Sequence, residues 1–335
     1  MKSKTMLEYL SLCFLIVVLI SPVFADDPNF TAKTESDTLT DSVSDIDYQY
    51  NTIHKTYEKN NQKSIANNLT ANTYEELLLY SKGNKPICLN KSREYKITEK
   101  IDIYDKNLTI YGNGATIRGT NNNTQFLYSG SSNVILNNIN FLNIGNKSVN
   151  GSIAFTTGKI TINNCTVSNS EGFHGGAFYA RNGVVEIINT TFNNVSAVIG
   201  GCLYADGDIK NVKVINSTFM NNQASADTTF LRSGAAIYNG AYYDTSNMKI
   251  QNSKFINNYG KYNGAVIYNN RKLTIDNCEF INNKCDGYFS KGGVLFSGNV
   301  YNITNSKFVN NSAYIGGAIC DENYNGGVEN DRRII

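Results

Sequence analysis

The sequence contains no tryptophan, three prolines and two histidines in 335 residues, and charged residues make up 17% of it. A chain this polar, rich in Asn and Gly and with 22 tyrosines, does not fit a conventional helical core. The formal net charge is +2 and the lysines are scattered, so the sequence indicates no nucleic-acid-binding surface.

The N-terminus has the three-part layout of a secretory signal peptide. Lys2 and Lys4 precede an apolar run from Leu10 to Ile20, and small residues lead to Ala25. We predict a signal peptide over residues 1–25 and therefore a secreted or cell-surface protein. An uncleaved anchor is the alternative, but the run of about 11 residues is short of the ~20 that span a bilayer. No membrane-spanning segment is expected after signal cleavage.

Two N-terminal segments are predicted before the main body of the protein. Residues 26–70 are rich in Asp, Thr, Ser, Asn and Lys without apolar periodicity, which indicates a polar, disordered leader. Residues 71–83 are predicted to form a capping helix, with Thr73 as N-cap, Glu76 completing a capping box and Gly83 beyond its end. Such a helix would cover the open edge of a stacked sheet.

A repeat of about 25 residues organises the rest of the chain. Each copy has a strand with alternating aliphatic residues, an asparagine, and a phenylalanine three residues later. The asparagine recurs at Asn138, Asn164, Asn189, Asn216, Asn252, Asn277 and Asn305. The phenylalanine recurs at Phe141, Phe192, Phe219, Phe255, Phe280 and Phe308, and Val167 takes its place in one copy.

A glycine and an aromatic residue complete each copy. The glycines are Gly151, Gly175, Gly200, Gly234, Gly264, Gly292 and Gly316. Four residues beyond them lie Phe155, Tyr179, Tyr204, Tyr238, Tyr268, Phe296 and, breaking the run, Cys320. We expect these glycines to adopt backbone conformations that other residues resist.

The repeat predicts an all-β fold. A unit of about 25 residues with short strands and one apolar face cannot bury that face alone, so it must stack on its own copies. We therefore predict a parallel β-helix over residues 84–320. The aliphatic, phenylalanine and aromatic positions would form three internal ladders. The asparagines would lie at a bend, with their amides bonded to neighbouring asparagines or to the turn backbone.

Unequal spacing between copies shows where extra residues are inserted. The insertions run from Gln223 to Ser233, from Ala241 to Asn247 and from Lys284 to Ser290. Insertions in solenoids form loops on one face, where binding specificity is often placed, and tolerated surface drift explains them equally well.

Six cysteines follow the signal peptide. They are Cys88, Cys165, Cys202, Cys278, Cys285 and Cys320. Cys165 and Cys278 occupy the same position four repeats apart, about 19 Å at ~4.8 Å per strand, which is beyond disulfide reach. A bridge between Cys278 and Cys285 is the one plausible pairing, and buried free thiols fit better.

The repeat units resemble those of known surface proteins. Gly316-Gly317-Ala318-Ile319 and Phe280-Ile281-Asn282-Asn283 are similar to units of polymorphic outer-membrane proteins. The whole layout looks like the adhesin-like surface proteins of methane-producing archaea. Both groups have the pectin-lyase-like right-handed β-helix, so the resemblance implies this fold and a surface-exposed protein that binds a host or microbial glycan or protein.

The sequence offers no catalytic, cofactor or metal site. The aspartates of the repeat region fall at different repeat positions, and Asp206-Gly207-Asp208 is better explained as a turn than as a cation site. His174 has no cysteine or carboxylate at ligand spacing and is also predicted to be a turn residue. Tyrosines that pointed outward would stack on sugars, but their fixed place after the glycine favours a core ladder.

Asn-x-Ser/Thr sequons are frequent, so an exported chain would carry glycans at some of them. The sequons of the repeated asparagine, at Asn164, Asn189 and Asn216, are expected to be buried.

Three functions follow from these patterns. The first is an adhesin-like surface protein that is not an enzyme. The alternatives are a polysaccharide lyase or glycoside hydrolase, which the missing catalytic constellation disfavours, and a structural stalk. Residues 321–335 lack the repeat and are predicted to be irregular, as in a truncated version of a longer protein.

Overall fold

The computed structural model describes residues 68–120, 125–225, 233–241 and 246–321. The predicted signal peptide, the leader up to residue 67 and the C-terminal segment after Asp321 lie outside these residues. Within them, no helix is long and apolar enough to cross a membrane.

The described chain contains one helix, α1 (Tyr74–Tyr80), and 29 short strands. The first fifteen are β1 (Leu69–Ala71), β2 (Ile87–Leu89), β3 (Glu94–Lys96), β4 (Ile101–Tyr104), β5 (Asn107–Arg118), β6 (Leu127–Gly130), β7 (Asn133–Leu142), β8 (Ala154–Thr156), β9 (Lys159–Asn163), β10 (Thr166–Ser168), β11 (Glu171–His174), β12 (Phe178–Ile188), β13 (Thr191–Asn193), β14 (Ser196–Ile199) and β15 (Leu203–Ile215). The others are β16 (Thr218–Met220), β17 (Gln223–Ala224), β18 (Ile237–Asn239), β19 (Asn247–Gln251), β20 (Lys254–Ile256), β21 (Tyr259–Gly260), β22 (Ile267–Asn269), β23 (Lys272–Asp276), β24 (Glu279–Ile281), β25 (Lys284–Cys285), β26 (Leu295–Ser297), β27 (Tyr301–Thr304), β28 (Lys307–Val309) and β29 (Ile319–Asp321).

Helix α1 lies against the first coil. The Thr73 hydroxyl accepts a hydrogen bond from the Glu76 backbone N–H at 3.2 Å, which fixes the helix start. The Glu76 carboxylate accepts from the Asn72 backbone N–H at 2.5 Å, so it reaches one residue further back than a capping box requires. Tyr74 and Leu77 are buried. The helix is therefore held by its cap and by this apolar face.

The strands stack in parallel. They form one sheet of 24 strands and a second of five, β11, β14, β17, β21 and β25. The register pairs equivalent repeat positions, such as Ile250 with Ile275 and Phe255 with Phe280. The predicted all-β parallel β-helix with one short N-terminal helix is confirmed. Strand β1 also pairs with β2, so the sheet already includes two residues placed in the predicted leader.

The core is a pair of internal ladders. Aliphatic residues such as Val214, Ile250 and Ile275 are fully buried. From Phe192 to Phe308 the phenylalanine rings stack with centroids 4.7–4.9 Å apart. Burial of one phenylalanine contributes roughly 1.5–3 kcal/mol, so these columns supply much of the stability of the coil.

The third predicted ladder is buried, but it lies apart from the main core. Tyr238, Tyr268 and Phe296 belong to an apolar cluster separate from the main core, together with Ile199 and Tyr262. The strand alternation explains this, since Ile237 points inward and the next residue must point outward. The aromatic column is therefore a buried, stacked ladder as predicted, but it belongs to a second apolar cluster and not to the main core.

The repeated asparagines are turn residues on the surface. All seven have left-handed φ angles between 48° and 54°, a conformation that Asn tolerates better than most residues. Asn164 is exposed, and Asn189 and Asn216 are half-buried. The prediction that these three sequons are buried is wrong, because the left-handed turn directs the side chain away from the core. Amide contacts along this column are discontinuous, as at Asn277 to Asn252 (2.8 Å).

A continuous asparagine ladder forms inside the coil, at the Asn-Asn turn that follows later in each repeat copy. It consists of Asn222, Asn258, Asn283 and Asn311. Each of the first three donates its side-chain amide to the carboxamide oxygen of the next at 2.9–3.0 Å. The second Asn of the Asn-Asn turn is thus the internal one.

Two further predictions concern local structure. All six cysteines of the described residues are free thiols, so the alternative of a bridge between Cys278 and Cys285 is wrong. Asp206 and Asp208 lie within strand β15, where the register with β12 shifts, and not in a turn. Gly207 takes φ 70° there, so the local irregularity is a bulge.

Candidate functional site

The insertion from Lys284 to Ser290 carries Tyr288, the most exposed aromatic residue of the described chain, and the exposed Phe289. Bridges from Lys284 to Ser312 and from Lys291 to Ile315 fix both of its ends to the next coil. Inside the loop, the Gly287 backbone N–H donates to the Lys261 carbonyl at 2.7 Å. The loop is therefore anchored on both neighbouring coils.

Three aromatic side chains form an exposed cluster, which we name the loop patch. It consists of Tyr288, Phe289 and Tyr314, which are 76%, 55% and 64% exposed. The ring centroids of Tyr288 and Phe289 are 4.1 Å apart, and those of Phe289 and Tyr314 are 5.6 Å apart. Phe289 has φ 60°, a conformation that is costly for a bulky residue. Exposed aromatics held in this way make the loop patch a candidate interaction site.

A cavity of about 450 Å³ opens beside the loop patch. It is lined by Lys284, Cys285, Asp286, Gly287, Tyr288, Ser290, Ser312, Ala313 and Tyr314. A volume of this size is within the range of small-ligand sites. Apolar rings and polar groups therefore line the same concave surface.

The polar side of the cavity is fixed by Asp286. Its carboxylate accepts from the Tyr259 hydroxyl at 2.6 Å and lies 2.9 Å from the Lys284 ammonium. The Tyr259 hydrogen bond, followed by Lys284, lowers the pKa of Asp286. Burial, followed by Asp286, raises the pKa of Tyr259 to about 12. Asp286 is therefore ionised and Tyr259 protonated at neutral pH, which suits hydrogen bonding to a ligand.

A second group of polar and aromatic residues lies on the lateral face. His174 ends strand β11, and its ring centroid is 4.7 Å from that of Tyr204. The Tyr179 hydroxyl donates to Asp206 at 3.3 Å. Burial lowers the pKa of His174 despite the opposing charge of Asp206. We name His174, Tyr179, Tyr204 and Asp206 the lateral cluster.

The sequence patterns located some of these residues and missed others. The two other predicted insertions lie mostly outside the described residues. The predicted Asn column lies at left-handed turns, and the predicted Phe column lies in the core or packs against it. The loop patch itself was missed, although its insertion was predicted, because no repeat position identifies Tyr314. The sequence predicts His174 and Asp206 to be isolated turn residues, and this is wrong because they lie in strands β11 and β15.

Within the described ranges, no three His, Cys, Asp or Glu side chains approach closely enough to hold a metal ion.

The chain was compared with known proteins. Neither the search of curated proteins nor the search of solved structures gave a match. A family model for the right handed beta helix region matches residues 150–332. These residues carry the Gly column, the Asn and Phe columns except Asn138 and Phe141, and both candidate sites. Because the match covers more than half of the chain, the protein belongs to the right-handed β-helix family.

Proposed function

We propose that the protein is an adhesin-like surface module that binds a glycan at the loop patch. The exposure of Tyr288 and Tyr314 at the rim of one cavity carries this proposal. Sugars present apolar C–H faces and hydroxyl groups together, and the site offers flat aromatic rings beside an ionised carboxylate. The resemblance to adhesin-like archaeal surface proteins supports the same function.

The polar groups complement the rings. Lys284 and Asp286 supply a donor and an acceptor on one side of the cavity. Because this ion pair is exposed, it contributes little to stability. Both side chains can therefore turn to a ligand at little cost to the fold. The anchored loop also reduces the entropy lost on binding, because its ends are already held by the next coil.

A glycan array with the full chain tests this proposal, followed by calorimetric titration of any bound glycan. The double variant Tyr288→Ala and Tyr314→Ala should weaken binding at least about tenfold, since central aromatic side chains dominate binding energy. Tyr104→Ala is the matched control, because Tyr104 is 59% exposed and lies on the lateral aromatic column. Equal affinity in the double variant, or binding only to proteins, would contradict the proposal.

We infer that binding occurs outside the cell and without cleavage of the glycan. The signal-peptide pattern of residues 1–25 supports export. N-terminal sequencing of the exported protein should give Asp26 as its first residue, and a sequence that begins at Met1 would oppose this. Incubation with uronan polysaccharides should release no new chain ends, and depolymerisation would favour the lyase alternative.

A further inference from the structure

The outward aromatic column is interrupted at the lateral cluster. Tyr128 and Phe155 stack with an interplanar angle of 11°, and Tyr204 and Tyr238 stack with one of 8°. Between them, Tyr179 meets its two neighbours edge-on, at 87° and 68°. The ring of Tyr179 is turned out of the column, and its hydroxyl bonds to Asp206. In a regular solenoid, such a departure from stacking requires a local reason.

Asp206 has an unused hydrogen-bonding position. Its Oδ2 accepts from Tyr179, whereas its Oδ1 is enclosed and has no hydrogen-bond partner. A buried carboxylate oxygen without a donor is costly, so a bound group is expected there. Among the described residues, no Lys, Arg or His lies within ion-pair distance of this carboxylate. Its charge is therefore available to a cation.

His174 lies close enough to Asp206 for the carboxylate charge to oppose the lowering of the pKa of His174 by burial. Its imidazole packs on Phe173 at 4.4 Å and on Tyr204 at 4.7 Å between ring centroids. The other face of Tyr204 is stacked on Tyr238. The backbone N–H of His174 donates to Asn150, but its ring takes part in no hydrogen bond described for the structure. The imidazole is therefore held by ring contacts and by the nearby charge of Asp206 rather than by a hydrogen bond of its own.

We propose that the lateral cluster binds a primary ammonium group, which occupies the face of Tyr204 that His174 covers and donates to Asp206. A cation over an aromatic face and a charge-assisted hydrogen bond to a carboxylate stabilise the same group. Amino sugars and lysine side chains both present this group. The site is separate from the loop patch and does not depend on the proposed glycan binding.

NMR titration of the full chain tests the proposal, because the sequence has two histidines and the His174 ring signals report on the site. The probes are glucosamine and a short lysine peptide, with glucose and N-acetylglucosamine as uncharged controls. The charged probes should shift the His174 signals and the controls should not. The tighter of the two charged probes identifies the source of the ammonium group.

Variants separate the roles of the residues. Asp206→Asn should raise the Kd at least about tenfold, and its amide oxygen can still accept from Tyr179, which preserves the fold. Asp208→Asn, an exposed change two residues along the same strand, should leave the Kd unchanged. His174→Ala, followed by calorimetry, should bind the ammonium probes at least as tightly as the wild type, because it uncovers the Tyr204 face.

Two results would overturn the proposal. One is an unchanged Kd in Asp206→Asn, and the other is absence of ammonium binding by both the wild type and His174→Ala. Binding by His174→Ala alone would support it, with His174 acting as a cover. Tyr288→Ala should not affect ammonium binding, so failure at this site and failure at the loop patch are distinguishable.

Discussion

Removal of one amide from the internal asparagine ladder should destabilise the coil strongly. Asn258 is 1% exposed and joins three coils. Its Oδ1 accepts from the backbone and side-chain N–H groups of Asn222 at 3.1 and 3.0 Å. Its Nδ2 donates to the Phe219 carbonyl and to Asn283, both at 3.0 Å. In Asn258→Ala all four hydrogen bonds are lost.

The expected cost follows from the groups left unpaired. Two N–H groups of Asn222 lose their acceptor and the Phe219 carbonyl loses its donor, all in the buried interior of the coil. Each buried polar group left without a partner costs about 1–3 kcal/mol. Partial relaxation and water entry reduce the sum, so we expect a loss of about 3–5 kcal/mol in the free energy of unfolding. Asn283 keeps the hydrogen bond from the Asn258 backbone N–H at 3.0 Å, so the damage should remain local.

Asn257→Ala is the matched control, because it makes the same chemical change one residue earlier at an exposed position. Its φ of 54° should cost about 1–2 kcal/mol for alanine. Urea denaturation followed by circular dichroism gives both values, and hydrogen exchange at the Asn222 amide locates the effect, since repeat proteins need not unfold in two states. A difference between the two variants of less than about 1 kcal/mol would refute the role of the ladder.

Two further predictions concern a glycine and the thiols. Gly264→Ala should lower the denaturation midpoint, because φ is 70° and the added Cβ would lie 2.4 Å from the Ile267 carbonyl oxygen, and an unchanged midpoint would contradict this. At pH 8 a thiol reagent should modify the half-buried Cys320 in the native protein but not Cys165, since burial raises the pKa of Cys165 to about 12 and its thiolate forms only as the pH rises towards that value. Mass spectrometry of the modified chain checks this, and rapid labelling of Cys165 would show that the coil opens.

The repeat predicted the fold because stacking converts sequence spacing into register. Equivalent positions such as Phe255 and Phe280 lie directly over one another, so their chemical identity was visible in the sequence. The direction of a side chain was harder to predict. The fixed place of Tyr238 after a glycine predicts its burial, but only the alternation from Ile237 indicates that it lies in a cluster separate from the main core.

The candidate sites lie where the repeat is broken, which is why spacing alone did not give them. His174 and Asp206 belong to different coils and their residue types do not recur from copy to copy, so only the stacking brings them to Tyr179 and Tyr204. The loop patch likewise combines an insertion with a residue of the next coil.

Regular positions of a solenoid are constrained by the neighbours above and below them. Irregular positions lack this constraint, and a bulky residue at φ 60° or a turned aromatic ring persists there only if something other than stacking retains it. Ligand binding at these two places supplies such a reason, and the variants described above test it at each place separately.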